Sequence, residues 1–561
     1  MNEKTVKQEK ELSAARDTFA STLFNEGARM EKECVLNALP EEFARLHRSG
    51  AFHIHDLDGW NLVNNCSTPL PEYVWHPERL RTKTPGGRIA ELFEQFKEMI
   101  CTVQHRQSGG VGSCNFDREM AEALVAADVE PTVENATVFG EQATLLFTWL
   151  STQRLRYARE NFYVTLNMGL DTSAWGRIVT HESIAAFDAL PVDYTRPNLV
   201  FKVKGEINGR AGSPNYDLFL EACDCTTRKM IPTYLLMDAE PNRACDPFKI
   251  NIMGCRTRVY ANRNGGAGSV GRGNIAALSL NLPRIALETK EWEKFFKLLK
   301  ARMNAAKRVL LLRAEAIRKS PFAAEMAESG VWSAKDVDEM CRQGTYSIGF
   351  IGLAETVEIL GGGKMQSDPR ARELARRILE VMRETTDGYA NETGLNFSLL
   401  ASAGEGISGR FPKMDAELFP DAECWKKGFT PTRFMSRLIL GWAFSKSWRM
   451  RARFIVLRMA EASRMSNCVK RRSAIRNVWQ TLSLTQRRRA CPTLASTIRS
   501  TSAMRAVRAA PSMLVRTAAR RMSNASAASA AILRRWMSFL SARRPRREIA
   551  WPIRETIENE R

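Results

Sequence analysis

The sequence predicts an α/β body, a closed barrel with a filled interior, followed by a basic tail that does not belong to it. Three observations carry this expectation. Short apolar runs of strand character alternate with stretches of helical period between residues 49 and 432. An apolar run, Lys249 to Met253, leads into Cys255. It is followed by a glycine-rich arm, Asn262 to Gly273, and by a second apolar run, Ala276 to Ile285. That pattern reads as a strand, a long excursion and a return strand, with a cysteine near the root of a loop built to pass through tight space. Finally, the formal charge of +21 is unevenly placed: Trp442 to Arg561 hold 27 Lys+Arg against 5 Asp+Glu, while residues 1 to 441 hold 56 against 57.

Taken in order, residues 1 to 48 read as helices, with Phe19 and Leu23, then Val35, Leu36 and Leu39, at helical intervals. Ala51 to Asp58 alternates as a strand does, so His53 and His55 face the same side. Substrate or metal contact and a hydrogen-bonded strand pair are equally open readings, since no third ligand stands at a fixed spacing and no metal site is expected. Cys66 follows; by itself it reads as a buried, inert thiol. Arg88 to His105 is a helix ending at Gln107-Ser108-Gly109-Gly110, a loop whose amides can cradle an anion or simply turn. Asn161 to Gly169, Leu199 to Lys204 and Pro232 to Met237 are strands. Glu291 to Lys319 is an amphipathic helix with Phe295, Phe296, Leu299, Met303 and Leu310 on one stripe. Ser347 to Leu353 is a strand entering a helix, Arg370 to Tyr389 is another helix, and Asn396 to Leu400 is a last strand.

Two patterns are set aside. Gly266-Ala-Gly268-Ser-Val-Gly271 matches the dinucleotide fingerprint literally, but a strand rather than a helix follows it. Cys223-Asp-Cys225 is half a zinc pattern without its second pair, so core or solvent thiols are expected. The twelve cysteines lack the spacing of a small disulfide-stapled domain, and the first residues have no apolar signal region. A reduced, cytoplasmic protein is therefore expected, with no bilayer-crossing run.

From Trp442 on there is no Gly, Asp, Tyr or His, although the chain has 34 glycines. A folded segment of that length without glycine has difficulty turning. A basic disordered tail and a nucleic-acid arm are the plain readings. Translation in the wrong frame after about Thr432 fits better. Arg458-Met-Ala-Glu-Ala-Ser-Arg-Met-Ser466 can be encoded by AGG ATG GCG GAA GCA TCT CGT ATG TCG, and that string read from its third base gives Asp-Gly-Gly-Ser-Ile-Ser-Tyr-Val.

Residues 20 to 432 resemble the anaerobic (class III) ribonucleoside-triphosphate reductases. The specific part is Met253-Gly-Cys255-Arg256, the glycine-rich arm, and Gly271-Arg-Gly-Asn274 running into Ser279-Leu-Asn-Leu-Pro-Arg-Ile-Ala-Leu287. His53 to Asp58, Asn65-Cys66, Pro214 to Leu218 and Ser347 to Gly352 agree in order. The resemblance implies a ten-stranded α/β barrel of two five-stranded halves around a central finger loop. It also implies reduction of ribonucleoside triphosphates to deoxyribonucleotides by thiyl-radical chemistry. Cys255 is then the thiyl that takes hydrogen from C3′. Cys66 is the second active-site cysteine, below the ribose. Asn274 is the active-site asparagine. His53, His55, Gln107, Ser108, Gly109 and Gly110 are weaker candidates for substrate contact. Formate is the implied reductant, with nucleoside triphosphate effectors, a radical-SAM activating enzyme and a homodimer as the implied company, and neither membrane nor specific nucleic acid.

The sequence departs from that family in its last part. The family carries a glycyl radical in a C-terminal Arg-Val-x-Gly-Tyr loop, preceded by a four-cysteine zinc site and by a Gly-Gly-x-Ile-Ser-Tyr segment. Past Gly441 there is no glycine, and only Cys468 and Cys491 remain. The shifted frame restores the Gly-Gly-x-Ile-Ser-Tyr string alone. The expected organisation is thus a helical segment at 1–48, a catalytic barrel at 49–432 and an aberrant tail at 433–561. The 48 residues before the first strand leave no room for a family-type ATP cone. Another glycyl radical enzyme, an acyltransferase or lyase, and a non-catalytic basic nucleic-acid-binding protein are the alternatives.

Overall fold

The computed structural model describes residues 19–61, 65–155, 160–253, 258–361, 363–365, 368–402 and 406–422. The expected tail at 433–561 lies outside them. Helices Phe19–Ala38 and Glu41–Arg48 lead into β1, Phe52–Ile54, and β2, Cys66–Thr68. Helix Pro85–Gln104 leads to β3, Val111–Ser113. Helices Phe116–Ala126 and Val133–Thr152 precede a small hairpin of β4, Arg154–Leu155, and β5, Glu160–Asn161. Then come β6, Val164–Met168, helix Ala174–Ala189, β7, Asn198–Val203, helix Tyr216–Lys229 and β8, Thr233–Leu236. After the glycine-rich arm come β9, Arg272–Asn281, helices Leu282–Thr289 and Trp292–Arg318, β10, Thr345–Ile351, helix Pro369–Thr393, β11, Asn396–Ala401, and helix Ile407–Leu418.

These strands form a nine-stranded sheet in the order β11-β10-β9-β2-β3-β6-β7-β8, with β1 paired to β9. β2, β3, β6, β7 and β8 run parallel to one another, as do β9, β10 and β11. The two sets meet antiparallel where β2 pairs β9. β1 and β2 share that edge of β9, at Leu278–Leu280 and Arg272–Asn274, so together they make one interrupted strand. The mixed α/β body agrees with the expectation from the alternating runs.

The strands are near-continuously buried because both faces are covered. One face is apolar. Val164, Leu166, Leu199, Phe201, Leu278, Leu280, Ile348 and Phe350 pack there with Phe93, Phe96, Phe139, Phe295, Leu299 and Met303 from the helices. The alternate positions carry Cys66, Thr68, Thr165, Asn167, Lys202, Asn274, Ser279, Ser347 and Ser398, all small or polar. A face of that composition is suited to a ligand or a polar loop rather than to a helix.

Two expected elements differ. Leu282 to Ile285, read as the end of the return strand, opens a helix: the Asn281 side chain accepts from Arg284 N at 3.3 Å, and Pro283 sits in the first turn. Lys249 to Met253, read as a strand, joins no sheet ladder. Lys249 bonds backbone groups of Asp246 and Ser269, and the backbone groups of Asn251 and Ile252 bond the side chains of Ser269 and Asn167.

Candidate functional site

Cys66 opens β2, fully buried, directly opposite Asn274 on β9. Asn65 N donates to Asn274 O at 2.8 Å. Asn274 is itself buried, and its Nδ2 donates to Thr345 O at 3.0 Å, Thr345 Oγ1 at 2.9 Å and Ser347 Oγ at 2.8 Å. Ser347 continues to Ser398 Oγ at 3.1 Å. The side-chain nitrogen is thereby committed to β10.

Each residue of the Gly271-Arg-Gly-Asn274 motif has a physical reason. Gly271 N bonds Thr68 O at 2.8 Å. Arg272, buried and without a carboxylate partner among the described residues, donates to Gly268 O of the arm, to Tyr260 O and Ala261 O just before it, and to Gln343 O at the end of helix Val337–Gln343. Burial lowers its guanidinium to about 10. At Gly273 a Cβ would stand 2.0 Å from Cys66 O, so only glycine lets β9 approach β2.

The segment before and after residues 254–257 lies across the polar face of the first parallel set. Lys202 Nζ, buried on β7, donates to Asn115 Oδ1 at 2.7 Å and Pro247 O at 2.9 Å. Asn115 Nδ2 holds Phe248 O at 2.6 Å. Ile250 packs with Val200 and Leu235. Asn251 Nδ2 reaches Thr68 Oγ1 at 2.8 Å, and Asn167 bonds both backbone groups of Ile252. Ser269 ties the two arms, accepting from Asn251 N and donating to Val259 O. Met253 and Val259 then form one buried cluster with Cys66. Cys255 itself lies outside the described residues, but the residues that flank its segment converge on Cys66.

His53 and His55 share a face, their ring centroids 4.8 Å apart, and His47 stands 5.1 Å from His53. The Arg410 guanidinium, which only donates, points Nη1 at His53 Nδ1 at 3.3 Å, and Ile54 N donates to His47 Nδ1 at 3.1 Å. Both rings are therefore neutral acceptors at Nδ1. Burial, with the nearby positive charges, lowers His47 to about 3 and drives His53 well below the usual range. His55 Nε2 pairs with Ser279 Oγ at 2.7 Å, which meets Ser402 Oγ at 2.5 Å. The strand-histidine reading accounts for these contacts, and the rings remain at the polar face beside Ser279.

Gln107 is buried in a role internal to the protein. Ser67 Oγ donates to its Oε1 at 2.8 Å, and its Nε2 donates to Gly110 O at 2.7 Å. Cβ atoms at Gly109 and Gly110 would stand 2.3 Å from Asn65 O and 2.5 Å from Tyr163 O. The glycines thus let the Gln107–Gly110 loop press onto the backbone beside Cys66. Ser108 and Asn65 both donate to Asp56. Burial alone would raise the Asp56 carboxyl; Arg313, His55 and these bonds outweigh it and hold it below the usual range. The loop therefore contacts the Cys66 strand through its own polar groups. Cys223 and Cys225 are core thiols of helix Tyr216–Lys229, Cys225 pushed up to about 12 by burial. Among the described residues no cluster of three His, Cys, Asp or Glu can hold a metal, and no helix is long and apolar enough to cross a membrane.

Sequence reasoning assigned no individual role to Asp56, Arg313, Asn115, Asn167, Lys202, Ser347 or Arg410. The available signal was a polar residue alternating with core residues inside an apolar strand, as at Asn167 and Lys202.

A family model described as anaerobic ribonucleoside-triphosphate reductase matches residues 13–434. The anaerobic ribonucleoside-triphosphate reductase of Escherichia coli (strain K12) is 28% identical over 459 residues, covering 75% of this chain and 63% of that protein. The chain thus spans under two thirds of the length of that curated relative. Among solved structures, the Thermotoga maritima anaerobic ribonucleotide reductase with glycerol in its active site has a TM-score of 0.59 at 15% identity, covering 79% of this chain and 80% of that one. The same enzyme in complex with dATP and CTP has a TM-score of 0.56 at 16% identity, covering 78% and 80%.

Proposed function

The chain belongs to the anaerobic ribonucleoside-triphosphate reductase family, and from that premise we propose that its body is built to remove the 2′-hydroxyl of ribonucleoside triphosphates by thiyl-radical chemistry. One observation carries the reading: Met253 and Val259, on either side of the Cys255 segment, pack with Cys66 in one buried cluster, and Cys66 is in register with Asn274. A ribose C–H bond is not ionised by any acid or base at neutral pH. A thiyl at Cys255, which a radical supplied by the missing C-terminal part would have to generate from the thiol, would take the C3′ hydrogen as an atom, and water must be kept away from it. Cys66 would deliver a hydrogen as the 2′-hydroxyl leaves as water, formate would supply the two electrons as it is oxidised to carbon dioxide, and Cys255 would return its hydrogen to C3′. The Asn274 carbonyl orients the sugar or the reductant. His53 and His55 border the same polar face, and the loop Gln107–Gly110 is kept as a weaker candidate for substrate contact.

The closed ten-stranded barrel with a central finger is proposed on the same basis: two parallel sets meet antiparallel, and residues 247–253 are bonded to side chains of the polar face. Formate is proposed as the reductant, because Cys66 is opposed by an asparagine. Nucleoside triphosphate effectors, a radical-SAM activating enzyme and a homodimer are carried over from the family. The glycyl radical and the zinc are not: no glycine follows Gly441, and Cys468 and Cys491 are too few for four ligands. No step is routed through either. The family match ends at 434, beside Thr432, and a change of frame there accounts for the missing parts. Sequencing the gene across codons 425 to 440 tests the frame. The frame-restored protein, activated anaerobically, is then offered CTP, pyruvate or glycerol. Formation of dCTP is expected; turnover of pyruvate or glycerol without dCTP refutes the reading.

A further inference from the structure

We infer that one extra residue in β9, Ile275, turns the Asn274 side chain onto the polar face beside Cys66, and that Gly344 is the positioning residue that makes room for it. The inference rests on the role given to Asn274 in the reading above. Along β9 and β10 the pairs Ala276–Tyr346, Leu278–Ile348 and Leu280–Phe350 face the apolar core. The pairs Ala277–Ser347 and Ser279–Gly349 therefore face the other side. The register then shifts: Asn274, and not Ile275, pairs with Thr345. Over this step β9 holds one residue more than β10, which is a β-bulge.

The effect is a change of face. Without the extra residue, Ile275 would pair with Thr345 and Asn274 with Gly344. A slip of one residue moves a side chain to the opposite face. Asn274 would then lie on the side of Leu278 and Leu280, a buried amide in an apolar core, which is costly. Ile275 would stand on the side of Ser279. In the structure Ile275 is fully buried in the apolar core next to Ala276, while Asn274 bonds Thr345 and Ser347 and stands opposite Cys66. Two neighbours hold the bulge. Arg272 has five N–H donors, and two of its bonds, from Nε at 3.0 Å and Nη2 at 2.8 Å, reach Gln343 O. The start of β9 is thus pinned to the residue before Gly344. Gly344 leaves the space that the bulged side chain fills: a Cβ there would stand 2.4 Å from Ile275 Cγ1 and 2.5 Å from its Cδ1. Isoleucine is branched at Cβ and stiff at χ1, so Cγ1 has little freedom to retreat.

The test needs no turnover and uses the full chain. Opposed residues of an antiparallel pair stand about 4.5–5.5 Å apart at Cα, within the span of a disulfide. Asn274→Cys therefore sets a thiol against Cys66 only if position 274 faces the polar side. The protein is oxidised with diamide, and the peptide joining position 274 to Cys66 is quantified by mass spectrometry. The crosslink should form in Asn274→Cys, and Ile275→Cys, on the other face, should give about tenfold less or lower. Adding Gly344→Ala to Asn274→Cys should cut the crosslink by about tenfold, as expected for overpacking at the bulge. Adding Ile275→Ala as well, which removes Cγ1 and Cδ1, should restore it. The same pair is read without the new thiol: Gly344→Ala should lower the urea midpoint of the parent chain but not that of Ile275→Ala. A crosslink and a midpoint indifferent to Gly344→Ala overturn the inference and leave the reductase reading intact. A loss that Ile275→Ala does not restore also overturns it, because that is general loosening. No crosslink in Asn274→Cys at a retained urea midpoint overturns both, because Asn274 is then not beside Cys66.

Discussion

Replacing Gly273 by alanine tests the junction on which the site is built. The added Cβ would stand 2.0 Å from Cys66 O and 2.9 Å from Trp332 Cζ2, against a normal closest approach of 3.0 Å. β2 and β9 must therefore part by about 1 Å or more at this point, since a backbone carbonyl in a ladder cannot rotate away. The ladder is pinned on either side by Asn65 N to Asn274 O and Gly271 N to Thr68 O, both 2.8 Å. Parting by that amount takes both beyond hydrogen-bonding range. Each bond contributes about 0.5–1.5 kcal/mol, and forced overpacking adds about 1–3 kcal/mol. The expected loss is about 2–6 kcal/mol, read as a fall in the urea midpoint at unchanged slope. Gly388→Ala is the control: it lies within helix Pro369–Thr393 with nothing near its Cβ position, and should gain about 0.5–1 kcal/mol. An unchanged midpoint for Gly273→Ala would refute the close approach of Cys66 to β9.

Asp415→Ala strands Arg284, whose guanidinium pairs with Asp415 in full burial; a loss of about 3–5 kcal/mol is expected in the same assay, and a loss under 1 kcal/mol counts against the pairing. Stability should fall with acid between about pH 6.5 and 3. His47 is held neutral in the fold, so the unfolded chain binds the extra proton in that window and His47 contributes a slope of about 1.4 kcal/mol per pH unit; His53 acts in the same direction, and Asp415, raised to about 6, opposes them below pH 6. A urea midpoint that is flat from pH 7 to 5 contradicts this, and His47→Gln should reduce the slope. In the frame-restored enzyme, Asn274→Ala should lower turnover of CTP by about 100-fold or more, while Cys66→Ser should abolish dCTP formation with a urea midpoint near that of the parent.

The sequence made the helices and most strands legible because their periods differ. The stripe Phe295, Leu299, Met303 and Leu310 of helix Trp292–Arg318 and the fully buried β10 are examples. It misled where an apolar run had a third destiny. Leu282 to Ile285 became a helix because one side chain, Asn281, caps it. Lys249 to Met253 became a loop because its hydrogen bonds go to Thr68 and Asn167, 183 and 85 residues away in the pairs they make. The bonds of Gln107 to Ser67 and Gly110 were not legible, because a glycine-rich turn with a polar entry has the same composition whether it binds an anion or packs on a neighbouring strand. Arg313 and Arg410 escaped notice for a similar reason: their partners His55, Gly59, His47 and His53 lie more than 250 residues away.

The most direct measurement is hydrogen transfer at the sugar. Frame-restored protein, activated anaerobically, is given CTP carrying deuterium at C3′, alongside its Cys255→Ser variant. The account predicts dCTP formed more slowly than from unlabelled CTP, and none from the variant. Equal rates with and without the label together with undiminished turnover by Cys255→Ser would contradict it.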